Sequence, residues 1–267
     1  MKTYCSVLKI QMISSLQYRI AALAGIATQF FWGCMFTMIY EAFYATVTEP
    51  LPITLRQLVS YIWLQQAFLT FIMLWFRDNE ILGLITSGNI AYELCRPCDL
   101  YSFWYAKLTA RRLSGALLRC FPILVIALLL PEPYRLSLPS DGSALILFLL
   151  TLALGLLILV AISMFIYISV FITMSPAGSL LMFGITGEFF AGLIIPIPLM
   201  PDWLQRIAYL LPFRLTADLP FRIYSGNIPL NEAWMGIVIQ AIWLTVLVSL
   251  GKAALKRILR QIVVQGG

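Results

Sequence analysis

"GSALILFLLTLALGLLILVAISMFIYISVFITMSPAGSLLMFGITG", residues 142–187, carries no charged side chain along its whole length. About 20 apolar residues in an α-helix cross a bilayer core of about 30 Å, so this run is about twice what one crossing uses. It must turn back on itself. One place in it suits a turn: in "TMSPAGS", residues 173–179, Pro176 disfavours helix at Ser175 and Gly178 loosens the next turn. The run therefore reads as two spans, 143–173 and 178–199.

The rest of the chain belongs to the same solvent. Of 267 residues, 61% are hydrophobic and 11% charged, with a mean hydropathy of +0.91. Soluble domains hold roughly 45–50% apolar and about 25% charged residues. The composition predicts an all-α integral membrane protein forming a single transmembrane domain over 1–267. Further spans are expected at 20–45, 57–76 and 233–251, where the uncharged runs 20–40, 57–76 and 233–251 are each bounded by charge, and at 107–130, which carries Arg119 but ends in "PILVIALLLP". That makes six spans in all.

Charge placement tests this count. Lys2, Lys9 and Arg19 precede the first span; Arg77, Arg96, Lys107, Arg111 and Arg112 lie in the stretch 77–112, which runs from the end of the second span into the start of the third; Lys252, Lys256, Arg257 and Arg260 follow the last. The other connections hold only Arg56 before the second span, Arg135 after the third, and Arg206, Arg214 and Arg222 after the fifth. The positive-inside bias then puts both termini and the 77–106 loop in the cytoplasm, and two ends on one side require an even number of spans. A single long helix over 142–187 would leave five. The N-terminal "MKTYCSVLKIQMISSLQYRIA" has no apolar core before Arg19 and does not read as a cleavable signal peptide. Residues 1–18 suit an amphipathic helix on the lipid surface, or a simple lead-in to the first span.

Several chemistries lack their residues. There is no histidine, which removes imidazole bases and His-based zinc sites. Of five cysteines, only Cys95 and Cys98 form a CxxC, in "ELCRPCD", and no second pair completes a four-ligand site. No metal, catalytic residue or cofactor is expected in this chain. No GxxxxGK[ST] loop is present, so any ATP used must be bound by another polypeptide. The net charge of +6 follows from membrane topology and is not read as a sign of nucleic acid.

Two segments carry the polar information. In the 77–106 loop, Asp78 can cap a helical turn, Ile81, Leu82, Leu84 and Ile85 recur at helical spacing, Ser87 and Gly88 interrupt, and Pro97 stops a second piece. Alternating acids and bases beside an apolar face suit docking onto another protein, or an interfacial elbow joining two spans. On the other side, Pro196, Pro198 and Pro201 end the fifth span. Asp202 and Gln205 can start a helix whose Trp203, Ile207, Leu210 and Leu211 share a face, so 200–232 reads as a re-entrant or interfacial hairpin. Glu188 sits about 15 Å beyond the turn at Gly178 and is costly if it faces lipid. With Gly187, Phe189 and Phe190 it is a candidate for the transport path or gate; the alternative is a protonated glutamate bonded to a neighbouring helix.

"DNEILGLITSGNIAYELCRPCDLYSFWYAKL", residues 78–108, resembles the cytoplasmic loop of type-2 ATP-binding-cassette exporter permeases, where a G-x-I-x-x-x-L-x-R-P-x-D run recurs in one bacterial branch. "GLIIPIPLMPDWLQRIAYLLPFRLTADLPFRIYSGNI", residues 192–228, is similar to that family's outer-side segment, and "KRILRQIVVQGG" to its ending. The resemblance implies a permease of the bacterial inner membrane, with both termini cytoplasmic. Such a permease pairs with a second copy or a related permease and docks on two copies of an ATPase subunit that bind ATP and Mg²⁺. It implies that a coupling helix carrying Asp78, Glu80, Ile81, Leu82, Leu84, Ile85, Ile90, Glu93 and Leu94 meets the ATPase, with Arg96, Pro97 and Asp99 turning the chain into span three. The expected cargo is amphiphilic or hydrophobic: a lipid, peptide or antibiotic-like solute. The competing readings are a secondary transporter or channel independent of ATP, and a membrane-embedded transferase or assembly factor.

Overall fold

The computed structural model describes residues 19–95, 97–139 and 141–261, together with Ser6, Lys9, Ile10 and Ile13. The expected surface helix over 1–18 lies largely outside the described residues, as do Arg96 and residues 262–267. Among the described residues the fold is all-helical. Its elements are α1 (Arg19–Thr46), α2 (Leu55–Ala67), α3 (Leu69–Ile72), α4 (Asn79–Thr86), α5 (Ile90–Leu94) and α6 (Leu100–Leu129). They continue with α7 (Gly142–Thr173), α8 (Pro176–Phe190), α9 (Asp202–Leu210), α10 (Asp218–Tyr224) and α11 (Leu230–Leu259). Short 3₁₀ turns lie at Ile197–Leu199 and Phe213–Thr216.

Among the described residues four helices are long and apolar enough to cross a membrane: α1 from Leu23 onward, α6, α7 and α11. Central among them is α7. In its most apolar stretch 61% of residues are buried, against 17%, 33% and 22% in the corresponding stretches of α1, α6 and α11. The first part of the uncharged run, residues 142–173, thus supplies the middle of the molecule, around which the other helices pack. The run does break before Pro176. Met174 adopts a left-handed conformation (φ 50°) as the C-cap of α7, and the Ser175 side chain accepts from the Gly178 amide to start α8.

Two of the six expected spans differ from a continuous crossing helix. Over 57–76, α2 ends at Phe68, one turn of α3 follows, and Met73 is already extended. Over 178–199, α8 stops at Phe190 and the chain swings through Gly192 (φ 79°) into a 3₁₀ turn. Gly192 is required there, because a Cβ would sit 2.6 Å from the Tyr61 hydroxyl. The backbone exposed by this turn is bonded from α2: Tyr61 donates to the Gly192 carbonyl at 3.0 Å and Gln65 to that of Leu193 at 2.7 Å. Irregular backbone between apolar helices persists only where such partners satisfy it. Nor does the Asp202 and Gln205 helix start have the expected form: Pro201 takes the N-cap position, and Gln205 reaches back to the Met200 carbonyl.

Hydrogen bonds assign the ends of the bundle. Arg56 donates to Ser137 at 2.8 Å and Asn227 to the Pro52 carbonyl at 3.0 Å, so the connections after α1, after α6 and before α11 share one end. At the opposite end Tyr167, late in α7, bonds Asp78, while Tyr101, early in α6, lies against Gly251, late in α11. Of the long helices, α1 and α6 therefore run one way and α7 and α11 the other, and the start of α1 and the end of α11 fall toward the end that carries residues 77–106.

Candidate functional site

The elbow at 77–112 is built on one carboxylate. Asp78 is 2% exposed. Its Oδ1 accepts from the amides of Glu80 and Ile81 at 3.0 and 3.2 Å, capping α4. Its Oδ2 faces Arg111 at 3.0 Å and Lys107 at 3.5 Å, both on α6, and Lys107 also donates to Glu80 at 2.6 Å. The Asp78 amide donates to the Tyr167 hydroxyl of α7 at 2.8 Å. Burial by itself would raise the Asp78 carboxyl, but Lys107, the Ile81 amide and Arg111 together hold it below its ordinary value of 3.8. One residue thus joins α4 to both α6 and α7.

Beside it, Arg112 is 1% exposed and has no carboxylate within ion-pair distance among the described residues. Its guanidinium donates instead to the carbonyls of Thr70 at 3.2 Å, Met73 at 2.7 Å and Phe76 at 3.2 Å, and to Ser163 of α7 at 3.2 Å. Carbonyls at a frayed helix end are the negative pole of the helix and lack intrahelical partners. Arg112 supplies those partners where the second apolar segment comes apart. The sequence signal, "TARRLSG", reads equally well as two surface bases, and only the burial separates Arg111 from Arg112.

The residues expected to dock a partner divide by exposure. Ile81, Leu82, Ile85, Ile90 and Glu93 are buried, like Asp78, within the chain itself. Leu84 is half-buried; Leu94 and Glu80 are exposed. Exposed Asn79, Gly83 and Thr86 complete the outward side of α4. Most of the apolar side of the elbow is thus the chain's own core, and its outer surface is small and polar.

At the fifth segment, Glu188 is half-buried, with one carboxyl oxygen enclosed and without a hydrogen-bond partner. Trp75 lies beside it, packed on Gly184, and Leu74 and Phe213 crowd Gly187. Phe189 and Phe190 meet edge to face at 5.3 Å and cover the cluster of Ile197, Met200 and Ala208. The four candidates for a path or gate therefore stand where the exit of the second segment meets the start of the outer segment.

That outer segment is only partly a surface. Trp203, Ile207 and Leu210 of α9 are exposed, whereas Asp218, Leu219, Phe221 and Ile223 of α10 are buried against α2 and α7. Arg222 bridges Asp218 at 3.4 Å, Asn227 at 2.6 Å and the Tyr209 hydroxyl at 2.9 Å, and Arg214 stacks over the Tyr209 ring at 4.2 Å. Gln240 was silent in the sequence. Fully buried in α11, it donates to the Thr151 carbonyl of α7 and the Leu215 carbonyl of the outer segment, each at 2.8 Å. A lone amide inside an apolar helix was its only signal.

Comparison with protein-family models, with curated proteins and with solved structures finds no match. What the fold and the site define is a class, an all-helical protein embedded in a membrane.

Proposed function

We propose that this chain is the permease subunit of an ATP-driven exporter in a bacterial inner membrane, with both termini cytoplasmic. It crosses the membrane six times, with 55–76 and 176–199 as interrupted crossings beside the four long helices and 200–232 as a re-entrant outer segment. Two such permeases, identical or related, dock on two soluble ATPase subunits that bind ATP and Mg²⁺. The cargo is an amphiphilic or hydrophobic solute.

One observation carries the reading: a short helix, polar outside and buried inside, is bolted by Asp78 to α6 and α7. A push on Glu80, Gly83 and Thr86 would reach Lys107 and Arg111 through ion pairs, and through Arg112 the frayed end of the second segment. Such a rigid lever is what a motor partner can move. In this reading the buried loop residues transmit, and the exposed Glu80, Leu84 and Leu94 contact the partner. Glu188 lies where the moving segment meets the outer one, which suits a gate.

The test is reconstitution. Purified chain added to its ATPase in proteoliposomes should stimulate ATP hydrolysis, and a cysteine at Thr86 should cross-link to that ATPase. Glu188→Gln at normal expression should slow transport while leaving ATPase binding intact. Solute carried at full speed by the chain alone, without nucleotide, would overturn the proposal.

A further inference from the structure

A helix of 30 residues is about 45 Å long, so α11 overshoots an apolar core of about 30 Å. Its last turns emerge at headgroup depth. There they meet the start of α6, because Gly251 leaves room for the Tyr101 ring: a Cβ at Gly251 would lie 2.8 Å from the Tyr101 hydroxyl. Between these helix ends and α5 opens a cleft of about 650 Å³, within the ~300–1,000 Å³ that holds a small ligand.

The lining of the cleft has two characters. Lys252 and Lys256 of α11 and Arg260 at its C-cap stand on one stripe, all exposed, and none has a carboxylate within ion-pair distance among the described residues. Two acids also line it. Asp99 is held as the cap of α6, accepting from the Ser102 amide at 2.9 Å, and Glu93 is buried and engaged within the chain. Tyr101, 2% exposed, adds an enclosed hydroxyl with no hydrogen-bond partner. Leucines complete the wall. Three cations, a spare hydroxyl and an apolar wall at headgroup depth fit an anionic group rich in acceptor oxygens and attached to something greasy.

We propose that this cleft seats the phosphate of an anionic lipid headgroup. The inference rests on the chain lying in a membrane and stands whether or not an ATPase drives it. Phosphate is the shared chemistry, and a free phosphate is the alternative source that the test separates.

The full chain would be purified in mild detergent, exposed to an equimolar mixture of phosphatidylglycerol and phosphatidylcholine, and its retained lipids measured by native mass spectrometry. Wild type should keep phosphatidylglycerol in preference. The triple variant Lys252→Ala, Lys256→Ala, Arg260→Ala should lose that preference by about a hundredfold, at about fivefold per base near a membrane surface. Tyr101→Phe should weaken it by a few-fold. Arg257→Ala, on the same turns but outside the cleft, should keep it and serve as the folding and charge control. In a second arm, inorganic phosphate is titrated into chain held in pure phosphatidylcholine discs. Saturable phosphate binding that the triple variant loses, with no lipid preference in the first arm, would overturn the lipid source in favour of free phosphate. Equal lipid retention by wild type and triple variant, or equal loss in Arg257→Ala, would overturn the site.

Discussion

At the scale of single residues, Asp78 and Arg112 show how a chain with few charges uses them. Asp78 caps a helix and pairs with two cations, so the contributions separate by substitution. Asp78→Asn keeps a capping oxygen but takes the buried carboxylate away from partly exposed Arg111 and from Lys107, which keeps Glu80, and should cost about 1–2 kcal/mol. Asp78→Ala also removes the cap and should cost about 1 kcal/mol more; thermal unfolding in detergent would rank the two. If the two variants melt together, the cap contributes nothing. The pH dependence has a fixed sign. Since the folded Asp78 carboxyl lies below its ordinary value of 3.8, its stabilisation is complete above that value and is lost as pH falls through the lower folded value. Acid melting should therefore steepen below about pH 4 in wild type and less so in Asp78→Asn. Arg112 works differently, as a guanidinium neutralised by carbonyl dipoles.

At the scale of elements, close approach between the outer segment and α7 depends on Gly155. A Cβ there would lie 2.9 Å from the Thr216 carbonyl oxygen and 3.0 Å from that of Leu215. Both are backbone atoms and cannot swing aside. Gly155→Ala should push the Phe213–Thr216 turn off α7, strain the Gln240 bond to Leu215, and cost about 1–3 kcal/mol. Proteolytic cleavage within 211–229 of the purified chain should accelerate accordingly, and an unchanged digestion rate would show that the turn does not need this contact. Helix interruptions obey the same logic. The break at Pro176 was legible because proline acts through its own ring. The end of α2 at Phe68 was not, because nothing in "AFLTFIML" forbids helix and the competing partner, Arg112, lies far along the chain.

At the scale of the whole molecule, the grouping of the connections at two opposite ends makes a prediction about sides. With native cysteines replaced by serine, single cysteines at Thr86 and Lys256 should react with an impermeant thiol reagent from one face of the membrane, and one at Leu138 from the other. All three are exposed. Labelling of Thr86 and Leu138 from the same face would break the topology. The candidate site was partly legible at this scale. Charge placement marked the 77–106 loop, but it could not tell that Ile81, Leu82, Ile85 and Ile90 turn inward while a small polar surface stays open.

The sequence by itself determined the solvent, the helical class, the turn at Pro176 and the end of the molecule where bases gather. Each of these depends on local properties: the length of an apolar run, the ring of a proline, the sign of a charge. Only the tertiary structure decided that Arg112 serves carbonyls 36 to 42 positions away, that Gln240 ties α7 to the outer segment, and that a basic cleft opens where α6 meets α11. In a uniformly apolar chain, hydropathy does not say how each helix is rotated about its axis. That rotation is fixed by packing against α7, and it selects which scarce polar groups meet.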